Sequence, residues 1–258
     1  MPEFTSHEPG AFCWIELATS DTAGAKSFYT SLFGWTVNEF PMGEQGTYSI
    51  FQKNGLDAAA MYKQDASQQG IPPNWMSYVN VTSADESAAK AKSLGATVMM
   101  EPFDVYDFGR MSVLADPQGA VFSLWQANKN IGVHIRDDND TLSWNELQAR
   151  DLDKARAFYT GLFGWSLKES PDYTEIHLGK RGIGGMMESK APPGAPSFWL
   201  PYFLVENCDA TVGKASASGG AVHVPGTDIP NVGRFAVLQD PQGAAFSIIQ
   251  MSPGHGVE

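Results

Sequence analysis

One stretch of this chain occurs twice without a gap. Residues 14–35 read WIELATSDTAGAKSFYTSLFGW, and residues 144–165 read WNELQARDLDKARAFYTGLFGW. Each copy opens on Trp-x-Glu-Leu, reaches an Asp (Asp21, Asp151) and closes on Phe-Tyr-Thr-x-Leu-Phe-Gly-Trp. A second pair of segments ends each half. Gly109-Arg110 through Asp116-Pro117-Gln118-Gly119-Ala120 is echoed by Gly233-Arg234 through Asp240-Pro241-Gln242-Gly243-Ala244. The repeat is far longer than the 20–50 residues of a solenoid unit, so it describes a duplicated module with its own core. A chain of 258 residues has room for two.

Each half shows the same order of patterns. Phe12–Ala18 alternates as a strand, with Trp14 and Glu16 on one face and Cys13, Ile15 and Leu17 on the other. Ser20 or Asp21 can cap a helix in which Ala25, Phe28, Tyr29, Leu32 and Phe33 recur at helical spacing. Gly34 is suited to stop that helix. Strands follow at Trp35–Phe40, Tyr48–Lys53 and Ala58–Tyr62. After a Gln/Ser/Gly/Pro loop come a strand at Trp75–Val81, an Ala-rich helix at Asp85–Leu94, and strands at Thr97–Met100, Arg110–Ala115 and Ala120–Trp125. The second half repeats this, with strands Leu142–Ala149, Tyr173–Leu178, Ile183–Met187 and Trp199–Val205 and helices Asp151–Leu162 and Asp209–Ser218. One helix per three or four strands predicts an α+β fold of two tandem units. Each is expected to be a curved mixed sheet around a cleft, with helices packed outside. The predicted division is an arm at 1–10, a first domain at 11–127, a linker at 128–140, a second domain at 141–251 and a tail at 252–258.

Charge removes several function classes. With 29 acidic against 17 basic residues the net charge is −12, the wrong sign for nucleic acid or an anionic membrane surface. No run approaches the ~18 apolar residues of a membrane span. The start, MPEFTSHEPGAF, lacks the basic and apolar regions of a signal peptide, which predicts a cytoplasmic protein. Cys13 and Cys208 are too few for a disulfide scaffold and sit in no metal motif.

Asp21…Phe28-Tyr29…Leu32-Phe33-Gly34-Trp35, followed by Asp116-Pro117-Gln118-Gly119, resembles the vicinal oxygen chelate superfamily of glyoxalase I, bleomycin-resistance proteins and extradiol dioxygenases. The resemblance recurs in the second half. It implies βαβββ modules paired into an eight-stranded, U-shaped sheet around a cleft. It also implies, in metal-dependent members, a His or Gln on the first strand and a Glu on the last. The family's spacing from Phe-Tyr and from Asp-Pro-x-Gly carries those positions onto Trp14, Trp144, Ser123 and Ser247. An indole N–H can only donate, and a neutral hydroxyl is a poor ligand for zinc or iron. The family's metal chemistry is therefore not expected here, and no cofactor is.

Glu16 and Glu146 share a strand face with the two tryptophans. Beside indoles they could act as acid and base. They could instead hydrogen-bond locally or pair with Arg110 and Arg234, and a third reading lets them hold a metal from shifted positions. Trp75, Trp199, Tyr78 and Tyr202 match in pairs and could line an aromatic cleft with Trp14 and Trp144, or simply pack in the core. His177 and His223 have no counterparts in the first half. The run Gly182-Ile183-Gly184-Gly185 lacks the helix and lysine of a phosphate loop and suits close strand approach. These residues predict a binder of a small aromatic or apolar molecule, monomeric or homodimeric, with a glyoxalase-type lyase or a dioxygenase as the alternative.

Overall fold

Short polar side chains set the helix starts, and glycine sets the ends of two of them. The computed structural model describes residues 3–43 and 46–253. In the first half β1 (Phe12–Thr19) leads to α1 (Thr22–Phe33), whose free N–H groups at Ala23 and Gly24 are taken by the Asp21 carboxylate. Gly34 ends α1 at φ 67, a left-handed conformation that costs glycine little. Strands β2 (Thr36–Pro41), β3 (Thr47–Lys53), β4 (Leu56–Lys63) and β5 (Asn74–Asn80) follow. Helix α2 (Ala84–Ser93) is capped by Ser83, and β6 (Thr97–Val105), β7 (Gly109–Ala115) and β8 (Val121–Ala127) complete the half. The second half has β9 (Leu142–Ala149), α3 (Leu152–Phe163), β10 (Ser166–Glu169), β11 (Thr174–Leu178), β12 (Arg181–Glu188) and β13 (Phe198–Leu204). It ends with α4 (Cys208–Ala217), β14 (Ala221–Ile229), β15 (Gly233–Gln239) and β16 (Ala245–Met251).

Each half is one eight-stranded mixed sheet. The orders are β2-β3-β4-β1-β5-β8-β7-β6 and β10-β11-β12-β9-β13-β16-β15-β14. The central strands β1 and β5 are antiparallel, whereas β1–β4 and β5–β8 are parallel. This is the expected α+β architecture, two βαβββ modules per sheet.

The two helix-covered faces meet in the middle of the molecule. One apolar cluster joins Val79, Leu114, Phe122 and α2 of the first half to Leu147, Phe158, Tyr159, Trp165 and Trp199 of the second. The other joins Ile15, Phe28, Tyr29, Phe33, Trp35 and Trp75 to Phe203, Ala236, Phe246 and Ile248. Rings from opposite halves interlock, as in Phe33–Phe203 at 5.0 Å and Phe122–Phe158 at 6.3 Å between centroids. Each sheet is therefore left with one face turned away from the helices and from the other half, the open face.

A bulge in β1 between Phe12 and Trp14 alters the expected alternation. Phe12 turns into the core against Trp165 and Trp199, while Cys13 joins the cluster on the open face with Trp14 and Val133. The arm is tied down over residues 3–10. Phe4 N–H donates to His134 O, Gly10 N–H to Asn80 O, and the His7 ring lies 2.9 Å from Val133 O. The polar linker also carries apolar anchors that the pattern did not reveal, since Val133 and Ile135 are buried.

Candidate functional site

On β1, Trp14, Glu16 and Ala18 face the open side because strand side chains alternate. Register then builds a row across the first sheet. Trp14 on β1 pairs with Tyr78 on β5, which pairs with Ser123 on β8 and so with Val113 on β7. The second sheet repeats it as Trp144, Tyr202, Ser247 and Val237. The four positions singled out by the resemblance thus converge in pairs, each joined to a tyrosine. Ser123 and Ser247 are fully buried, and among the described residues neither hydroxyl has a hydrogen-bond partner. In a protein interior such an orphan is uncommon and costly.

The glutamates sit one step along. Glu16 accepts from Tyr48 Oη and Tyr78 Oη, each at 2.6 Å. Glu146 accepts from Tyr202 Oη at 2.9 Å and from Gln148 Nε2 at 2.6 Å, with Tyr173 beside it. The carboxylates are 8% and 5% exposed. Burial pushes both above the usual carboxylate range, and the hydrogen bonds from the phenols pull the other way. The phenols are themselves raised, first by burial and then by the adjacent carboxylate. Among the described residues, no Lys, Arg or His forms an ion pair with Glu16 or Glu146.

Arg110 and Arg234, expected as partners of those glutamates, are elsewhere. Arg110 is bound to Asp85 and Asp104, and Arg234 to Asp209 and Asp228, in exposed networks that tie each β7-type strand to the nearby helix start. Arg110 and Gln126 are register partners, and parity puts both on the helix side of the sheet. Trp75 and Trp199 also leave the cleft. They pair with Leu17 and Leu147, on the helix-covered face, and donate to Tyr29 Oη at 3.0 Å and Tyr159 Oη at 2.9 Å. Tyr78 lies three positions after Trp75, an odd step that places them on opposite faces.

His177 stands on the open side of the second sheet, its Nε2 3.0 Å from Glu175 Oε2. It and the Trp144 ring flank Gly182. His223 is exposed on the edge strand β14. The glycine run acts as expected. A methyl group on Gly184 would come within 2.5 Å of Asn145 O, and one on Gly185 within 2.1 Å of Tyr173 Oη.

Tyr48, Tyr173 and Trp125 were not singled out in the sequence. Tyr48 and Tyr173 occupy equivalent places, each just before a β3-type residue paired with a methionine of the next strand (Ser49–Met61, Thr174–Met186). Aligning the repeats at that register would have found them. Trp125 has Ile249 at the matching place and so leaves no repeat signal. A hollow of about 490 Å³ lies away from the carboxylates, between arm residues Phe4–Glu8 and the β11–β12 turn.

The model of the Glyoxalase/Bleomycin resistance protein/Dioxygenase superfamily matches residues 12–124 and 141–248, one match per half. The chain belongs to that superfamily. It is 42% identical, over 98% of its length and 99% of the relative's, to CFP32 of Mycobacterium tuberculosis, provisionally named a glyoxylase. It is 33% identical to the anthracycline biosynthesis protein DnrV of Streptomyces peucetius, covering 97% of each chain. Among solved structures, the Mn(II)-bound glyoxalase of Novosphingobium aromaticivorans superposes with a TM-score of 0.66 at 14% identity, covering 94% of this chain and 82% of that one. The 2,3-dioxygenase LapB of Pseudomonas sp. KL28 gives 0.64 at 14% identity, over 98% of both. At that identity the likeness concerns the fold alone.

Membership in the superfamily raises the question of a metal, and the donor set answers it poorly. The rows offer an indole, a phenol and a hydroxyl, with one carboxylate already hydrogen-bonded beside them. Among the described residues no three His, Cys, Asp or Glu side chains are grouped to hold an ion. These residues do not fit the divalent cation found in the glyoxalase structure.

Proposed function

We propose that this superfamily member binds a small molecule with aromatic or apolar surface on the open faces of its sheets, without a divalent metal. The observation that carries this reading is the pair of Trp–Tyr–Ser rows at the places where metal-dependent relatives carry their ligands. Around the first row the surface is apolar, with Tyr48, Ile50, Met76, Val105, Met111 and Trp125 in one cluster with Trp14 and Tyr78. Flat rings stack favourably on such side chains, and a few polar groups suffice to orient them. A relative concerned with anthracyclines, which are polycyclic aromatic compounds, is consistent with that ligand class. Among the described residues no helix is long and apolar enough to cross a membrane. A cytoplasmic protein, monomeric or homodimeric, fits the reading.

A second reading is acid–base catalysis by Glu16 and Glu146, favoured by their burial against tyrosines with raised carboxyl groups. Fold membership does not decide between them. The test is metal analysis of protein purified without chelator, with methylglyoxal–glutathione turnover and tryptophan quenching by naphthalene-type ligands measured in parallel. Quenching that survives chelator, without turnover, supports binding. Stoichiometric metal with turnover abolished by chelator overturns it. Metal-free turnover lost in Glu16→Gln or Glu146→Gln establishes the second reading.

A further inference from the structure

Glu16 and Glu146 are buried carboxylates that no cation of the described residues pairs with. Glu16 is surrounded by Trp14, Tyr48 and Tyr78, with Tyr62 close enough for its phenol to feel the negative charge. Glu146 is surrounded by Trp144, Tyr173 and Tyr202. The quartet Trp–Tyr–Tyr–Glu is therefore built twice, from three different strands or strand ends in each half. Each carboxylate accepts two side-chain hydrogen bonds, and an ionised carboxylate has about four lone-pair sites. Acceptor capacity remains, and among the described residues no Lys, Arg or His uses it.

Aromatic faces and a carboxylate favour the same guest. The π face of Trp and Tyr attracts an organic cation, and a desolvated carboxylate attracts it more strongly. A neutral ligand would leave the negative charge uncompensated, and an anionic one would be repelled. A metal ion asks for several hard donors, and one carboxylate supplies too few. The row next to each glutamate also holds a fully buried hydroxyl, that of Ser123 or Ser247, without a hydrogen-bond partner among the described residues. A net charge of −12 further favours the approach of a cation.

We propose that each Trp–Tyr–Tyr–Glu quartet is a cage for a protonated amine carried by an aromatic ligand, two such sites per chain. This deepens the reading of the open faces as small-molecule sites and rests on it. Aromatic rings of the ligand lie along the apolar cluster, and its ammonium group meets Glu16 or Glu146 between the tryptophan and tyrosine rings.

Three matched probes test the proposal on the intact wild-type protein by calorimetry and tryptophan quenching at about pH 7.5, where an alkylamine is protonated. They are naphthalen-2-ylmethanamine, its neutral isostere naphthalen-2-ylmethanol, and 2-naphthoic acid. The amine is expected to bind at least tenfold tighter than the alcohol, at two sites, and the acid more weakly than either. In the Glu16→Gln and Glu146→Gln double variant the amine-to-alcohol ratio is expected to fall to near one. Equal affinity of amine and alcohol, or tighter binding of the acid, overturns the ammonium cage and leaves the aromatic site standing. Failure of all three probes to bind overturns both. Should the double variant not fold, the wild-type ratio alone decides.

Discussion

Tyr29 and Asp240, 211 positions apart, are joined by a buried hydrogen bond of 2.9 Å from the phenol to the carboxylate. The reciprocal bond runs from Tyr159 to Asp116 at 3.1 Å. Each tyrosine also accepts from a core tryptophan, and the second oxygen of each aspartate takes backbone N–H groups of its own Asp-Pro-Gln-Gly turn. The indoles that end the repeated stretch cross over in the same way, Trp35 to Asp140 O and Trp165 to Gly10 O. The segments that match best between the halves are thus the ones that hold the halves together.

Removing one of these phenols leaves a buried indole N–H and one oxygen of a buried carboxylate without that partner. Tyr29→Phe and Tyr159→Phe are each expected to lower stability by about 1–3 kcal/mol. Urea unfolding checks this. Equal midpoints for variant and wild type would show that the cross-half relay carries no stability.

The raised carboxyl groups of Glu16 and Glu146 give a pH dependence of definite sign. Between the ordinary glutamate value of 4.5 and the higher native value, the folded state holds more protons than the unfolded state. Stability therefore falls as pH rises through that window. Glu16→Gln, a neutral mimic, is expected to gain on the wild type as pH rises above 4.5, measured as the difference in thermal midpoints. A constant difference would place the Glu16 titration at its ordinary value.

Acid acts on the arm in the opposite sense. Burial pushes His7 from 6.5 down to about 4, helped by the charges of Arg136, Arg181 and His134. The neutral ring is favoured in the folded state, so its contribution is complete above 6.5 and lost as pH falls towards 4. Hydrogen exchange at Phe4 and Gly10 is expected to speed up over that range, beyond the intrinsic pH effect, and to lose that excess in His7→Gln. Uniform protection down to pH 4 would contradict it.

Gly185→Ala would thrust a methyl group into the Tyr173 phenol. The first sheet carries Ala60 at the matching place, opposite Glu16, and Tyr48 still reaches that carboxylate. A small cost, below about 1.5 kcal/mol, is therefore expected, with loss of the Trp144–Tyr173 hydrogen bond at 2.8 Å. A shift in tryptophan emission reports it; an unchanged spectrum would mean that Tyr173 keeps its place.

The sequence by itself determined the duplication, the α+β class and the strand face shared by Trp14 and Glu16, and by Trp144 and Glu146. These follow from local rules: a side-chain period of two, capping by Asp21 and Asp151, and glycine at helix ends. It also marked Gly184 and Gly185 as places of close approach. The tertiary structure alone decided what each of those residues meets. Arg110 and Arg234 looked like partners for the glutamates until the register turned them to the helix side, where Asp85 and Asp209 lie nearer. Trp75 and Trp199 fell to the core because the helix-covered faces of the two halves needed to be buried against each other. The phenols of Tyr48 and Tyr173 reach the glutamates across neighbouring strands, a contact set by register between segments that no local pattern links. Long-range pairing of this kind is fixed by the cooperative fit of whole sheets, so it is written in the chain as a sum and not at any one residue.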